Sequence, residues 1–257
     1  MRRMLFFFLS LSLCLPQMIS VQPAISPQPS LLAFALQEMG SPSSLNRKYP
    51  HLFIMKGKGT AKEVALTFDD APDLRYTPQI LTILKKENVK ATFFVVGWRA
   101  KAYPSVVKRI IQDGHVLGNH SYSHADLAKV SQKRFQYETE KTDEIIKRLS
   151  GYSPKLLRPP YGSIKESQLR WAAQKKYVVV YWNVDSEDWR GIGAKEVIHN
   201  VLDHVGVGSI ILHHSGTGRG GDLSGTVKAL PVIIKNLKRE GYRFVTVPEL
   251  LHIPRNK

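Results

Sequence analysis

The sequence predicts an α/β protein in which a parallel sheet is covered by helices. Strand-like runs alternate with helical periodicities from about Glu63 onward, and this alternation is typical of βα units. Polar residues directly follow several of these strands, as they do where parallel strands end in a common cleft. At 257 residues the chain is long enough to bury a large core. The pattern alone leaves open whether the sheet is doubly wound or closed as a barrel.

Residues 1–24 are predicted to be a signal peptide or an N-terminal membrane anchor. Two arginines precede the apolar segment 5–15, which is shorter than the roughly 20 residues that a spanning helix needs. Residues 16–24 contain no strong cleavage signal, so a retained anchor is the alternative. Cys14 is the only cysteine and lies in the apolar segment, so no internal disulfide can form. We therefore expect an exported protein, in the extracellular space and cell wall or anchored to the membrane.

Three further segments are predicted after this leader. Residues 25–61 are rich in Pro and Ser over most of their length and are predicted to be a linker or an N-terminal arm packed on the domain. They include one short amphipathic piece, residues 31–39. Residues 62–252 carry the alternating pattern and are predicted to form a single domain. Residues 253–257 remain as a C-terminal tail.

Seven strands are predicted in the domain, with helices between them. The first helix is expected to begin with Thr77 as its cap and Pro78 in its first turn. Another helix is expected from about Gln132 to Leu149, ending at Gly151. The predicted strands are residues 63–68, 91–96, 115–118, 156–158, 177–184, 209–212 and 243–247.

The chain is strongly basic, with a formal net charge of +16. Removing the leader takes away two arginines and no acid, so the remaining domain is still basic. Its lysines and arginines are scattered, mostly in pairs that are typical of solvated helix faces, and no nucleic-acid-binding motif is present. No nucleic-acid partner is therefore expected. For an exported protein, an anionic cell wall or membrane surface is the better partner.

The first candidate site combines two adjacent carboxylates with two imidazoles. Asp69 and Asp70 end the first strand, and His120 and His124 follow the third. One carboxylate and two imidazoles form the ligand set of a catalytic zinc site, in which water takes the fourth position. The i, i+4 spacing of the histidines would place both rings on one face of a helical turn. The residues alone do not say which aspartate binds the cation and which accepts a proton from water.

A turn at residues 158–162 supplies two more candidates. Two successive prolines lock the backbone between Arg158 and Tyr161. A purely structural role for this turn is about as well supported as a functional one. In the functional interpretation, Arg158 orients a carboxylate bidentately, and the backbone N–H of Tyr161 faces an oxyanion.

The remaining candidates lie near the carboxyl ends of later strands. Asp188 and Trp189 place an acid beside a flat aromatic ring, on which a sugar can stack. His213 and His214 end a buried strand, and alternation lets only one of them face a cleft. That histidine can donate a proton to a leaving amine, because its ordinary pKa is about 6.5.

Five segments, in this order, resemble the motifs of the polysaccharide deacetylase family, also described as the NodB homology or carbohydrate esterase 4 group. The resemblance runs from about Val64 to Leu251, and five ordered motifs are far more specific than any one. The segments are Thr67-Phe68-Asp69-Asp70-Ala71-Pro72, His120-Ser121-x-x-His124, Arg158-Pro159-Pro160-Tyr161-Gly162, Asp185-Ser186-x-Asp188-Trp189 and Ile211-Leu212-x-His214.

The resemblance implies a distorted (β/α) barrel and a divalent metal site. Zn²⁺ is the expected metal, with Co²⁺, Mn²⁺ or Ni²⁺ as alternatives. It also assigns individual roles. The implied metal ligands are Asp70, His120 and His124. The implied catalytic groups are Asp69 as the base, Arg158 as its positioning partner, His214 as the acid and Asp188 as the support of that imidazole, with Tyr161 and Trp189 binding the substrate.

Two positions depart from the family pattern. Ala71 stands where the family usually has Gly, and Ser215 stands where Asp often follows the acid histidine. Because Gly has more backbone freedom than Ala, the loop that carries the two aspartates is expected to be slightly displaced. Neither change removes a catalytic group.

The function implied by the resemblance is metal-dependent hydrolysis of N-acetyl groups from N-acetylglucosamine residues of a cell-wall polysaccharide, with release of acetate. The expected partner is an acetylated aminosugar polymer, peptidoglycan first and chitin oligomers second. An esterase acting on O-acetylated polysaccharide with the same site is an alternative. A catalytically weak cell-wall-binding protein is an alternative of another class.

Overall fold

The computed structural model describes residues 41–257. Within this range, nine strands belong to the main sheet or pair with it. Their bounds are β1 Phe53–Ile54, β2 Glu63–Ala71, β3 Thr92–Val95, β4 Val116–Asn119, β5 Leu156–Leu157, β6 Val178–Val180, β7 Val184–Asp185, β8 Ile210–His214 and β9 Arg243–Phe244.

Nine α-helices surround the sheet in the described part of the chain. They are α1 Pro42–Lys48, α2 Tyr76–Lys86, α3 Gly97–Ala102, α4 Pro104–Gln112, α5 Gln132–Ser150, α6 Glu166–Gln174, α7 Ala194–Leu202, α8 Ser224–Arg239 and α9 Val247–Leu251. Short 3₁₀ turns occur at Leu127–Lys129, Pro160–Gly162 and Asp188–Arg190.

All strand pairs in the sheet are parallel, as the alternation of strands and helices predicts. The order is β1-β6-β5-β4-β3-β2-β8-β7, and β9 pairs with the beginning of β2. The end strands β1 and β7 do not pair with each other within residues 41–257, but an isolated bridge joins Lys56 to Ser209. The sheet therefore curls without full closure, and the predicted distorted (β/α) barrel is confirmed.

Strand β2 shows how the two-residue period of a strand builds both the core and the site. Leu66 and Phe68 belong to the large apolar cluster that also contains residues of α2 and α8. Ala65, on the other face, belongs to a separate cluster with residues of β6 and α9. Thr67 and Asp69 continue the inner face toward the carboxyl end of the strand, where both contact Arg158. One strand thus leads from an apolar floor to a polar site.

Most predicted strand ends differ from the observed ones by one to three residues, and two further differences change the sheet. The run 177–184 is not one strand, because β6 pairs with β1 and β5 whereas β7 pairs with β8. Strand β1 lies in the predicted linker or arm, residues 25–61, and was not predicted because it has only two residues. Phe53 of this strand is fully buried, and Leu45 of α1 packs in the same cluster. Residues 41–56 therefore pack on the domain.

The predicted cap of helix α2 is wrong. Thr77 lies inside the helix, and Asp73 Oδ1 instead accepts the backbone N–H groups of Arg75, Tyr76 and Thr77 at 3.1, 2.6 and 2.9 Å. A carboxylate is a good acceptor for the unpaired N–H groups of a first helical turn. The Thr77 hydroxyl donates to Ser215 O at 2.8 Å, and this contact connects α2 to the chain after β8.

The prediction for helix α5 is confirmed. It runs from Gln132 to Ser150, Ser131 Oγ accepts the N–H of Arg134, and Gly151 follows with a φ of 80°. The C-terminal tail contacts the domain through an isolated bridge between Pro154 and Asn256. The predicted leader 1–24 and the amphipathic segment 31–39 lie outside the described residues. Within residues 41–257, no helix has the length and apolar character needed to cross a membrane.

Candidate active site

A pocket of about 400 Å³ opens at the carboxyl ends of the strands. It gathers residues that follow six different strands, as parallel α/β folds do. Its lining includes Asp69, Asp70, His120, His124, Tyr161, Trp182, Asp185, Trp189, Leu212 and His214. Seven of the nine site residues predicted from the sequence therefore line one cavity. Arg158 and Asp188 lie behind this lining, where they contact Asp69 and His214.

Asp69 is held in place by a buried guanidinium. Arg158 Nη1 donates to Asp69 Oδ1 at 2.8 Å, and the arginine side chain is 0% exposed. The second carboxylate oxygen, Asp69 Oδ2, lies 3.6 Å from His120 Nε2. Oδ1 of Asp69 is therefore bound to the Arg158 guanidinium, while Oδ2 faces His120 in the pocket.

The expected bidentate contact between Arg158 and a carboxylate is wrong. Only Nη1 reaches Asp69, and the same nitrogen also donates to Thr67 Oγ1 at 2.8 Å. Nε and Nη2 donate to the carbonyls of Val180 and Tyr181 at 3.1 and 3.0 Å. The guanidinium also stacks on the ring of Phe94, 4.1 Å from its centroid. Neighbouring strands use the other donors, so Arg158 is locked in one position.

Asp70, His120 and His124 form a cluster whose ligand atoms all lie within 4.8 Å of one another. Asp70 Oδ1 is 3.0 Å from His124 Nε2 and 3.6 Å from His120 Nε2. His120 Nδ1 lies 2.7 Å from Arg158 O, which leaves Nε2 toward the pocket. A carbonyl on the far ring nitrogen is the usual arrangement for a metal-binding histidine.

The predicted helical turn at His120 and His124 is wrong. The two residues lie in an irregular loop, and Ser121 and His124 have left-handed φ angles of 62° and 59°. The rings still meet edge to face, with their centroids 5.1 Å apart. Asp70 also has a positive φ, 62°. This backbone turn at the end of β2 lets two adjacent aspartates reach the same pocket, although neighbours along a regular strand face opposite sides.

The cluster fits a divalent cation. Asp70 Oδ1 is buried and has no well-oriented hydrogen-bond donor, which is unfavourable for a carboxylate unless another partner binds it. Burial raises the pKa of Asp70, but the contact with His124 and the nearby imidazoles outweigh it, so its pKa lies well below the ordinary value. Burial also lowers the pKa of His120. An ionised carboxylate and a neutral imidazole are the forms that bind Zn²⁺.

His214 and Asp188 form a second buried pair, and His214 lies on β8 directly beside Asp69 of β2. His214 Nδ1 is 2.7 Å from Asp188 Oδ1, and the backbone N–H of His214 donates to Asp188 Oδ2 at 2.9 Å. Thr226 Oγ1 on α8 also donates to Oδ2, at 2.7 Å. Burial lowers the pKa of His214, but the Asp188 carboxylate raises it more strongly, to about 9.

Asp188 itself is stabilised as an anion. Burial raises its pKa, but the nearby His214 and His213 rings more than offset this and hold the pKa well below the ordinary value. The pair therefore carries a negative carboxylate and a protonated imidazole near neutral pH. The free nitrogen of that imidazole, Nε2, is left for the pocket.

Only one of the two adjacent histidines of β8 faces the pocket, as strand alternation predicts. His213 points the other way, is fully buried and stacks on Phe68 with ring centroids 5.6 Å apart. Neither of its ring nitrogens has a hydrogen-bond partner in the described residues. His214 is the histidine available to a substrate.

The two substrate-binding candidates lie at the mouth of the pocket. The Tyr161 side chain is 68% exposed and that of Trp189 is 62% exposed. Tyr161 has a left-handed φ of 59°, and its ring packs edge-on against His124 at 4.9 Å. Exposed aromatic rings beside a polar pocket are suited to binding a sugar face.

Several residues at or behind the pocket were not among the predicted site residues, and four of them make side-chain hydrogen bonds there. Trp182 and Asp185 line it directly, and Trp182 Nε1 donates to Asp185 Oδ2 at 3.2 Å. Thr67 and Thr226 act behind it as hydrogen-bond partners of Arg158 and Asp188. Thr67 and Asp185 begin the first and fourth of the five family-like segments, so the sequence could have identified both as site residues. Nothing local marks Thr226, which α8 brings to the site.

The two departures from the family pattern are accommodated. Ala71 does not have a positive φ, whereas its neighbour Asp70 does. A Cβ at position 71 therefore meets no backbone restriction. The backbone N–H of Ser215 donates to Asp69 O at 2.9 Å, which continues the pairing of β8 with β2.

Comparison with known proteins gives consistent matches. A family described as polysaccharide deacetylase matches residues 56–180. The chain is 46% identical to a peptidoglycan-N-acetylglucosamine deacetylase of Bacillus cereus, over 93% of this chain and 86% of the relative. It is 40% identical to the peptidoglycan-N-acetylmuramic acid deacetylase PdaC of Bacillus subtilis, over 76% of this chain and 40% of the relative.

Solved structures agree with these sequence matches. The fold is similar to the crystal structure of a peptidoglycan N-acetylglucosamine deacetylase in complex with 4-naphthalen-1-yl-N-oxidanyl-benzamide. The TM-score is 0.81 at 47% sequence identity, and the match covers 85% of this chain and 100% of the other.

Proposed function

The chain belongs to the polysaccharide deacetylase family, and from this premise we propose that it removes N-acetyl groups from N-acetylglucosamine residues of peptidoglycan. The reaction consumes one water and releases acetate, leaving a free glucosamine amine. The observation that carries the proposal is the arrangement of two buried carboxylate–cation pairs around one pocket. The pairs are Asp69 with Arg158 and His214 with Asp188, and the pocket-facing members Asp69 and His214 are neighbours on β2 and β8.

Asp70, His120 and His124 are the proposed ligands of the divalent cation, with Zn²⁺ as the first choice among Zn²⁺, Co²⁺, Mn²⁺ and Ni²⁺. Their donor set and their mutual distances support this assignment. When bound, such a cation lowers the pKa of a water and polarises a carbonyl oxygen. His120 of this cluster lies 3.6 Å from Asp69 Oδ2, so the proposed cation ligands and Asp69 face the same part of the pocket.

Asp69 is the proposed base. Its Oδ1 is occupied by Arg158, and Oδ2 is available to accept a proton from the attacking water. Because Arg158 is fixed by three further acceptors, the carboxylate is oriented before substrate arrives. General-base catalysis by an oriented group contributes roughly 10²- to 10⁴-fold to a rate.

His214 is the proposed acid. Asp188 holds Nδ1, so the proton on Nε2 is the one that can be transferred to the departing nitrogen. A pKa of about 9 keeps the ring protonated at neutral pH. The amide C–N bond then breaks as the nitrogen gains this proton, and the acetyl group leaves as acetate. The backbone N–H of Tyr161 is the proposed donor to the developing oxyanion.

The same proposal includes export and a polymeric substrate at the cell wall. Its support is the basic and apolar N-terminus of the sequence and the peptidoglycan-acting relatives. The basic composition also suits an anionic wall or membrane surface. Trp189 and Tyr161 are proposed to contact the glycan chain outside the reacting residue.

The test is an acetate-release assay on the purified chain. We expect acetate release from peptidoglycan and weaker release from chitooligosaccharides. We also expect added Zn²⁺ to restore activity after chelation. Asp69→Asn is the control, because it is nearly isosteric and removes only the proton acceptor.

Other outcomes separate the alternatives. Release from O-acetylated xylan but not from N-acetylated glycans would indicate an esterase. If the wild-type chain releases no more acetate than Asp69→Asn on any acetylated glycan, the enzyme proposal fails. Cosedimentation of the chain with intact cell wall would then support the alternative of a catalytically weak cell-wall-binding protein.

A further inference from the structure

The loop that carries the two histidine ligands, residues 120–124, is held from one side by helix α3. The N–H groups of Gly97 and Trp98 donate to the carbonyls of Ser121 and Tyr122 at 2.9 and 3.0 Å. These contacts fix the carbonyl groups of the loop. They leave its N–H groups to be satisfied elsewhere, since buried backbone donors need partners.

The opposite side of the loop is held by one carboxylate of helix α5. Glu138 Oε2 accepts the N–H groups of Tyr122 and Ser123 at 2.8 and 2.7 Å, and Oε1 accepts the Ser123 hydroxyl at 2.7 Å. The Glu138 side chain is 0% exposed and pairs with Arg134 at 2.6 Å. A fully buried carboxylate is costly unless its oxygens are bonded in this way.

Glu138 binds the two residues that lie between two backbone positions of unusual conformation. Ser121 and His124 both have left-handed φ angles, 62° and 59°. Residues with a Cβ occupy this region only when their surroundings stabilise it. The loop therefore does not keep this shape through its own local preferences, and the contacts made to Tyr122 and Ser123 help to impose it.

His124 depends on this backbone shape more than His120 does. The ring of His120 is oriented by the carbonyl of Arg158, 2.7 Å from Nδ1. The ring of His124 has no such acceptor in residues 41–257; its polar contact is with Asp70, 3.0 Å from Nε2. The direction of its ring is therefore set mainly by where the loop places its Cα.

We propose that Glu138 is a positioning residue for the cation site. By holding the N–H groups of Tyr122 and Ser123, it keeps His124 directed at Asp70, although Glu138 itself does not line the pocket. This inference rests on the cation site of the proposed function. Partners of this kind, which orient a ligand without binding the metal, typically change metal affinity by about 10- to 100-fold when they are removed.

The test compares Zn²⁺ affinity with stability in the cation-free chain. Glu138→Ala removes all three acceptor contacts, and we expect its Zn²⁺ dissociation constant to rise about 10- to 100-fold. Glu138→Gln keeps one oxygen for the two N–H groups, so we expect a smaller rise. Glu144→Ala on the same helix is the matched control, because Glu144 is exposed and its ion pair within residues 41–257 is with Lys141. Affinity is measured by competition with a chelating dye, and unfolding is followed by circular dichroism.

The outcomes separate a positioning role from a merely structural one. If Glu138→Ala lowers the unfolding temperature but its folded form binds Zn²⁺ as the wild-type chain does, the inference is overturned. If Glu138→Ala does not fold, Glu138→Gln and Ser123→Ala decide: weakened binding by both supports the role, and wild-type affinity in both refutes it. A wild-type chain that binds no Zn²⁺ would instead refute the cation site of the proposed function.

Discussion

The two buried pairs at the pocket, Asp69 with Arg158 (the proposed base side) and His214 with Asp188 (the proposed acid side), combine a carboxylate and a cation in opposite order. On the base side, Asp69 faces the pocket and its cation, Arg158, lies behind it. On the acid side, the imidazole of His214 faces the pocket and its carboxylate, Asp188, lies behind it. Each rear group is buried and bonded to a threonine, Thr67 or Thr226.

This difference explains how similar pairs can do opposite chemistry. A buried carboxylate–cation pair presents a proton acceptor when the carboxylate faces the substrate, and a proton donor when the imidazolium does. Burial lowers the pKa of Arg158 from its ordinary value and the Asp69 carboxylate opposes this shift, but a guanidinium still stays charged across the pH range in which His214 titrates. The acid side has a partner that titrates, because the pKa of His214 is about 9. Only the acid side should respond to alkaline pH.

The largest effect is expected from separating the two adjacent aspartates. Asp69→Asn should lower kcat by about 10³-fold while keeping bound Zn²⁺, because general-base catalysis is lost but the ligand set remains. Asp70→Asn should lose Zn²⁺ together with activity, since it removes one of three ligands. Acetate release and metal content per protein measure both. The opposite pattern, with Asp69→Asn losing the metal, would exchange the two assignments.

The second-largest effect is expected on stability, when Arg158 behind Asp69 is replaced. Arg158→Met should lower the free energy of unfolding by about 3–5 kcal/mol, because it leaves a buried carboxylate without its partner. Urea denaturation of the cation-free chain measures this change. Arg190→Met is the control, because Arg190 is exposed and its ion pair in the described part of the chain is with Glu187. Its loss should cost about 0–1 kcal/mol. Equal stabilities of the two variants would contradict a buried, locked Arg158.

Titration of His214 should set the pH above which kcat/KM falls, the alkaline limb of the pH profile. With the pKa of His214 at about 9, activity should fall as pH rises through that value. Asp188→Asn removes the charge that raises this pKa, so the limb should move toward about 6.5 and activity at pH 8 should fall about 30-fold. Glu187→Gln, an exposed carboxylate on the same loop, should leave the limb in place. An unmoved limb in Asp188→Asn would remove His214 from the acid role.

The same pair should make stability depend on pH in a defined direction. The folded-state pKa of His214 is raised, so the stabilisation is complete below the unfolded value of about 6.5 and is lost as pH rises through about 9. Unfolding of the cation-free chain between pH 6 and 10 measures this loss. In Asp188→Asn, the loss over this interval should be smaller. A stability that rises over this interval would contradict the assigned charge state.

The smallest effect is expected at the threonine behind the acid side. Thr226→Val keeps the side-chain volume but removes the hydroxyl that donates to Asp188 Oδ2 at 2.7 Å. Because hydrogen bonds to charged groups contribute about 1.5–3 kcal/mol, we expect a loss of about 2 kcal/mol in unfolding free energy. Thr60→Val is the control, because Thr60 is exposed and lies outside the helices and strands. If the two variants are equally stable, the bond to Asp188 contributes nothing measurable.

The sequence predicted most of the fold because strand alternation and helix caps are local. The helix predicted from about Gln132 to Leu149, with Gly151 as its end, is present as Gln132–Ser150 followed by Gly151. Two errors arose, one where two residues could each cap the same helix and one where a strand was too short to recognise. Thr77 and Asp73 are both good caps, and the carboxylate is the one that the chain uses. Strand β1 has two residues, too few to show a period, and its pairing with β6 is what makes it a strand.

The site was predictable in composition but not in geometry. The spacing of His120 and His124 suggested a helical turn, whereas the loop has left-handed residues held by Glu138 and by α3. Arg158 was expected to bind a carboxylate with two nitrogens, but neighbouring strands take the other donors. Such competition among acceptors depends on the packing of distant segments, and no local pattern reports it.

The sequence by itself determined which chemical groups meet at the carboxyl edge of the sheet. Period-two alternation put Asp69 and His214 on the inner faces of their strands, and their positions at strand ends put them in one cleft. Only the tertiary structure decided what each group can do. Arg158 reaches Asp69 across 89 residues, and Thr226 reaches Asp188 across 38. Those contacts hold in place Asp69, the proposed proton acceptor, and Asp188, the carboxylate that raises the pKa of His214. The register of strands and helices, rather than local sequence, sets these distances between charges.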